Sequence, residues 1–433
     1  MRTLADLEVD GRRVLVRVDF NVPLEDGQIT DDTRIREALP TIEELRRRGA
    51  RIVIAAHLGR PDGPDPELSL RPAADRLAEL IGARVELAPG VVGPEVRALV
   101  DALEPGGIVM LENVRFEAGE TENDDALSRA LAGLADVYVN DAFGAAHRAH
   151  ASTEGVTHHV ADSAAGLLLA REVEVIGGIL ADPVRPLVAV VGGAKVTDKL
   201  GVIERFLELA DVIMIGGAMC FPFFTAQGHD VGDSLCEEAG VDPARRALAD
   251  AEESSCELLL PTDLVIADRF AADAEHRTLD GVDVPDGWMG LDVGPDTARR
   301  YAEEIAAAGT VFWNGPMGAF ELDPFAAGTR AVAEAIVASP ATTVVGGGDS
   351  AAALVKFGLH EGVTHLSTGG GATLEMIEGR PMPCLVVLGH GEETPGGADP
   401  DAHADGDGDG DGDGDGAGVG VGGEAGTSAA GSP

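Results

Sequence analysis

Only three of the 433 residues are lysine (Lys195, Lys199 and Lys356), and two of them stand four apart in Gly192-Gly-Ala-Lys-Val-Thr-Asp-Lys199. The remaining cations are arginine. Two compact ammonium groups beside a glycine pair, just after an apolar run at 187–191, suit a strand-to-helix turn that holds phosphate oxygens. An ordinary turn whose lysines cover a helix end would read the same way from this segment alone.

The surrounding chain repeats the pattern. Apolar runs at 14–20, 51–56, 108–111, 137–139, 212–215, 311–313, 342–345 and 365–367 each end in a charged or glycine-rich loop. Continuous Val, Ile and Leu segments, separated by helix-period stretches such as 36–48 and 297–307, predict parallel sheets covered by helices on both faces. Ligands of open α/β sheets bind beyond the carboxyl ends of the strands, where these polar residues fall. The length exceeds what one core usually supports, so two Rossmann-like α/β domains are expected.

Charge sets further limits. The 75 acids against 32 Lys and Arg give a formal charge of −43. The tail after His390 contributes eleven acids and no Lys or Arg, which leaves a body near −32. Such a surface repels nucleic acid and anionic membrane, so neither is an expected partner. It suits high ionic strength, where a Debye length of roughly 3 Å at 1 M screens self-repulsion, and a halophilic habitat is the expectation, with a generally acidic protein of an ordinary cell as the rival reading. Cys220, Cys236, Cys256 and Cys384 show no C-x-x-C spacing and read as small core residues in a reducing compartment. With no apolar leader or membrane span, the expected location is the cytoplasm.

Residues 391–433 differ in kind. Six Asp-Gly pairs run from Asp405 to Gly416, a composition that cannot bury enough apolar surface to order, so a disordered tail is expected. Gly418-Val-Gly-Val-Gly-Gly423 matches a dinucleotide fingerprint but lacks a preceding strand. The Asp-Gly repeat resembles only the start of an EF-hand loop, and weak, diffuse cation attraction is the most expected of it.

Nine strings, in order, resemble the phosphoglycerate kinase family over about residues 1–390. They are Arg17-Val-Asp-Phe-Asn-Val-Pro23, His57-Leu-Gly-Arg-Pro-Asp-Gly63, Leu111-Glu-Asn-Val-Arg-Phe116, Asn140-Asp-Ala-Phe-Gly-Ala-Ala-His-Arg-Ala-His150, Gly192-Gly-Ala-Lys-Val-Thr-Asp-Lys199, Gly287-Trp-Met-Gly-Leu-Asp292, Trp313-Asn-Gly-Pro-Met-Gly318, Gly346-Gly-Gly-Asp349 and Ser367-Thr-Gly-Gly-Gly-Ala-Thr-Leu-Glu375. The resemblance implies a glycolytic transferase that moves a phosphoryl group reversibly between 1,3-bisphosphoglycerate and ADP, giving 3-phosphoglycerate and ATP. A carboxylate leaving group needs no general base, so positioning and charge stabilisation carry the chemistry. Motifs rich in Arg, Lys and Gly fit that demand.

By the same resemblance the triose side comprises Asp19, Phe20, Asn21, Arg34, His57, Leu58, Gly59, Arg60, Arg115 and Arg148, with Arg34 nearest the transferred group. His147 and His150 are ligands or only braces of Arg148. The nucleotide side comprises Gly193, Ala194, Lys195, Lys199, Gly216, Gly217, Asn314, Pro316, Glu321, Gly346, Gly347, Gly348, Asp349 and Ser350. Glu321 is assigned to the ribose. Arg34, Lys195, Lys199 and Gly348 are the expected catalytic set. Asp349 is the expected partner of Mg2+ carried by the nucleotide, a helix N-cap, or both; Asp198 is a weaker candidate for the ion.

The implied division is a triose domain at 1–165, an interdomain helix and hinge at 166–185, a nucleotide domain at 186–370, a segment at 371–390 returning to the first domain, and the tail. Cys384 departs from the glycine usual in the family. A monomer is expected. Two rival readings remain. A different phosphotransferase is opposed by the absence of G-x-x-x-x-G-K-[ST]. A non-catalytic nucleotide- or cation-binding protein is separated by assay.

Overall fold

The computed structural model describes residues 1–390, and the disorder expected of 391–433 lies outside them. Two six-stranded parallel sheets dominate, each flanked by helices. The first runs Val85–Leu87, Ile108–Met110, Arg51–Ala55, Arg13–Val18, Val137–Asp141, Ser163–Ala165. The second runs Glu257–Leu259, Val212–Ile215, Leu187–Val191, Thr310–Asn314, Thr342–Gly346, His365–Leu366. Numbered within its own half, the second sheet has the order 3-2-1-4-5-6 of a dinucleotide fold, with its switch point between Leu187–Val191 and Thr310–Asn314. The parallel-sheet expectation is met.

Burial explains the apolar runs. Leu15 faces one set of core side chains with Val53 and Tyr138, while Val14 and Val16 face another with Ile52 and Ile54. Both faces of the strand are therefore covered, as parallel sheets require. Helix Thr33–Arg47 buries Ile35, Ala38, Ile42 and Leu45 at three- and four-residue spacings against the first sheet. In the second half, Val188 and Val190 pack on Trp313 and Tyr301, and Ala189 and Val191 pack toward Phe206 and Phe312.

Helix Leu167–Ala181 follows the last strand of the first sheet. Its N-terminus is held from that sheet's side: Leu168 and Leu169 N–H donate to the Asp141 carboxylate, at 2.9 and 3.2 Å, and Leu167 N–H donates to Thr41 Oγ1. Burial pushes the Asp141 carboxyl up to about 6. The chain then ends against its beginning. Cys384 lies inside helix Pro383–Val387, where its thiol packs 3.3 Å from the Arg148 carbonyl, and Arg2 N–H donates to Leu388 O. Cys384, where the resemblance implied a glycine, is thus a helical residue.

A three-stranded antiparallel sheet, Leu264–Ala267 with His276–Leu279 and Met289–Val293, was not foreseen. Its strands are short and mix polar with apolar residues, so neither period stands out in the sequence. All four cysteines are free; Cys220, Cys256 and Cys384 are buried and Cys236 is partly exposed. Among the described residues no helix is long and apolar enough to cross a membrane.

Candidate active site

Beyond the first sheet, four strand ends deliver the expected triose residues to one network. Asp19 follows Arg13–Val18, and its carboxylate accepts from Asn21 N–H at 3.1 Å and from Arg34 Nη1 at 3.2 Å. Arg34 sits in the first turn of helix Thr33–Arg47 and also donates to Asn21 O. Asn21 Oδ1 accepts from Gly59 N–H at 2.8 Å, and Gly59 O accepts from Arg115 Nη1 at 2.7 Å. Gly144 has no room for a Cβ, which would run into the Asp19 carboxylate. Phe20 and Leu58 send their side chains into the core and leave only main chain for a ligand.

Positive charge is concentrated here in an otherwise acidic molecule. Burial, with Arg17, Arg148 and Arg60 nearby, brings the Arg115 guanidinium down to about 10. Burial, then Arg17, Arg115 and Arg34, holds His57 well below the usual histidine range. His150 is brought down to about 3 for the same reasons. An anion entering this patch relieves a mutual repulsion that the fold has built in.

Arg17, absent from the sequence-based list, underlies the patch. It is fully buried, donating through Nε to Ser152 Oγ at 2.8 Å and through Nη1 to Val18 O. Its Nη2 lies 3.1 Å from His57 Nδ1. Ser152 in turn donates to the buried Glu120 carboxylate at 2.5 Å. The available signal was an arginine inside the apolar run Val14-Leu-Val-Arg-Val18, since buried charges occur only when paired. His147 Nε2 accepts from Arg148 Nε at 2.9 Å, which makes it a brace.

The second sheet carries a cavity of about 530 Å³ at its switch point, lined by Gly193, Ala194, Gly217, Pro316, Glu321 and Asp349 among others. Its glycine turns are sewn together: Gly193 N–H donates to Pro316 O, Gly217 N–H to Met317 O, and Met219 N–H to Gly193 O, each at 3.0 Å. Gly217 has φ +67°, and a Cβ there would meet the Gly193 backbone. Asp292, from the Gly287–Asp292 string, accepts from Gly328 N–H at 2.8 Å beneath this wall; burial pushes its carboxyl up to about 7.

The two lysines differ. Lys195 is exposed, with no hydrogen bond or ion pair among the described residues. Lys199 is half-buried and turned against main chain, with Nζ 2.6 Å from Gly192 O and 3.3 Å from Asn314 O. Burial, partly offset by Asp349 and Asp198, brings its ammonium down to about 8. Gly346 ends its strand, and helix Gly348–Phe357 starts at the glycines with Gly347 as N-cap. Asp349 therefore is not the cap; it lies exposed in the first turn. Gly348 opens onto free space, and Ser350 is buried, its Oγ accepting from Gly315 N–H at 2.6 Å.

The loops beyond the two sheets meet. A Cβ on Gly144 would lie 3.5 Å from Thr368 O, and one on Gly369 would strike the Phe143 ring. Buried Glu172, on helix Leu167–Ala181, accepts from Thr368 N–H at 2.8 Å and lies 2.7 Å from His365 Nε2.

A family model described as phosphoglycerate kinase matches residues 4–380. The phosphoglycerate kinase of Moorella thermoacetica is 54% identical over 387 residues, covering 89% of this chain and 98% of that protein. A cytosolic phosphoglycerate kinase of Triticum aestivum is 50% identical over 390 residues, covering 89% and 97%. Among solved structures, phosphoglycerate kinase from Coxiella burnetii matches with a TM-score of 0.81 at 42% identity, covering 89% of this chain and 98% of that one. The Pyrococcus horikoshii enzyme matches with a TM-score of 0.80 at 34% identity, covering 90% and 98%.

Proposed function

Because the chain belongs to the phosphoglycerate kinase family, we propose that its phosphoryl transfer to and from a carboxyl group is divided between the two sheets, triose on the first and nucleotide on the second. The observation that carries this division is the confinement of the arginine patch to one set of strand ends and of the glycine-lined cavity to the other, with their loops touching at Gly144 and Thr368.

In this reading the 3-phosphoglycerate phosphate and carboxylate replace the internal partners of Arg34, Arg60, Arg115 and Arg148. Arg34 exchanges Asp19 and Asn21 O for the transferring group. Neutral His57 donates through Nε2, because Nδ1 is occupied by Arg17. On the other side the base enters the apolar cavity, Glu321 meets the ribose, and Gly346, Gly347 and Gly348 present main chain to the phosphates. Lys195 and Lys199 neutralise charge on the oxygens. No residue needs to remove a proton, since the acceptor is already a carboxylate.

Asp349 fits Mg2+. It is an exposed carboxylate at the cavity, without a hydrogen bond or ion pair among the described residues. One carboxylate suits a cation that arrives on nucleotide phosphates. When bound, the ion supplies positive charge to the β- and γ-oxygens.

Reacting atoms must approach within about 3–3.5 Å with water excluded, so closure of the two halves about helix Leu167–Ala181 belongs to the mechanism. The acidic surface is read as adaptation to high salt and the enzyme as a monomer, and its cytosolic plant relatives support a cytoplasmic location.

A coupled assay for ATP-dependent consumption of 3-phosphoglycerate, run from low salt to 3 M KCl, tests the reading. Turnover that rises with salt is expected. ADP binding without turnover at any salt would favour the non-catalytic alternative.

A further inference from the structure

Lys356 is the one lysine outside the Gly192–Lys199 turn. It occupies the last turn of helix Gly348–Phe357, the helix whose first turn carries Asp349 and Ser350. Its Nζ lies 2.9 Å from Phe320 O, 3.0 Å from Glu321 O and 2.8 Å from Asp323 Oδ1. Three acceptors thus meet the three donors of one ammonium. The next residue adds apolar contact: the Phe357 ring stands edge-on to Phe320, with Arg330 over its face at 4.2 Å.

The helix therefore grips one loop at both ends. Ser350 holds Gly315 N–H at the near end, and Lys356 holds 320–323 at the far end. The loop so held carries Pro316 and Glu321, both on the cavity wall. Glu321 is exposed, so its place is set by the main chain that Lys356 binds.

Side-chain chemistry explains why arginine does not serve here, although it supplies nearly every other cation of the chain. A guanidinium is a flat fork that matches paired oxygens in one plane, whereas an ammonium directs three rotatable donors from a single point.

We propose that Lys356 is a positioning residue for nucleotide binding, which acts through Glu321 by fixing its main chain at the ribose end of the cavity. This rests on the assignment of Glu321 to the ribose. Lys356 touches neither nucleotide nor triose; it keeps the ribose wall in register with the helix that faces the phosphates.

The test compares Lys356→Met, Lys356→Arg, Glu321→Gln and the Lys356→Met/Glu321→Gln pair, using ADP and 2′,3′-dideoxy-ADP as substrates. Loss of one hydrogen-bonded contact to the ribose corresponds to a rise of about tenfold in KM. Lys356→Met should raise KM for ADP by about that factor with kcat nearly constant, and leave KM for the dideoxy nucleotide unchanged. Lys356→Arg should fall between wild type and Lys356→Met, and carries the test if Lys356→Met does not fold. The double variant should be no worse than Glu321→Gln.

Equal KM rises for both nucleotides, additive losses in the pair, or a lowered Tm with unchanged KM would overturn the proposal. If Glu321→Gln discriminates between the nucleotides and neither Lys356 variant does, the positioning role alone falls. If Glu321→Gln does not discriminate, the ribose assignment falls and the proposal with it.

Discussion

The Arg17 guanidinium, which can only donate, lies 3.1 Å from His57 Nδ1 and so fixes the neutral imidazole as the tautomer with its proton on Nε2. A buried strand residue thereby decides which ring nitrogen of His57 carries the proton. The same cations suppress protonation of His57 and His150.

A pH dependence of stability follows. Burial and the neighbouring Arg17 and Arg115 bring His150 in the folded protein down to about 3 from its ordinary 6.5, so below 6.5 the unfolded chain binds the proton more readily. Its contribution is complete above pH 6.5 and is lost as pH falls toward 3, amounting to about 2 kcal/mol at pH 5. The stability advantage of wild type over His150→Gln should therefore shrink by that order between pH 7 and pH 5 in urea denaturation. A pH-independent difference would contradict the burial argument.

Lys199 titrates in a range open to experiment. Its ammonium is brought down to about 8 when it rests on Gly192 O and Asn314 O. Nucleotide phosphates should restore the charged form, so ADP binding at pH 8.5 should take up about three-quarters of a proton, and at pH 6.5 almost none from this group. Calorimetry in buffers of different ionisation enthalpy measures this. The uptake should vanish in Lys199→Met, which should also lose more in kcat than in ADP affinity.

Arg34 is half-exposed and pairs with Asp19 at 3.2 Å, so it is held but not locked. Arg34→Lys keeps the charge and loses the fork. Turnover should drop by about 10²–10³-fold, the usual cost of one donor aimed at developing charge, with a much smaller change in KM for 3-phosphoglycerate. A drop confined to KM would make Arg34 a ground-state contact only.

Closure should require both ligands, because the arginine patch and the lysine pair draw on one shared anionic charge. Small-angle X-ray scattering on the free protein, each binary complex and the ternary complex should show the largest fall in radius of gyration in the ternary state. Identical radii for free and ternary protein would remove hinge closure about Leu167–Ala181 from the mechanism.

The sequence made the glycine-rich turns legible because each is local. Gly192–Lys199 and Gly346–Asp349 carry strand end, turn and helix start within a few residues. A helix within 166–185 was implied by the resemblance, and Leu167–Ala181 lies there. What stayed hidden is assembled from afar. The chain Glu120, Ser152, Arg17, His57 draws on four different strands and the loops after them, and no spacing rule connects them. Asp349 looked like an N-cap because Asp favours that position, but Gly347 takes it with φ +90°, a conformation costly for Asp. That leaves the Asp349 carboxylate uncommitted to main chain.

Burial of three of the four thiols gives the protein a single chemical handle. Cys220 sits fully inside, and burial pushes the Cys256 and Cys384 thiols up to about 11, so none of the three offers a thiolate to a reagent near neutral pH. Cys236 is partly exposed, next to Leu235 on the cavity of the second sheet and to Glu237, which binds the Thr197 hydroxyl of the lysine turn. A maleimide dye added to the native enzyme should attach there alone. Its emission would then report occupancy of the cavity in real time, without an engineered cysteine.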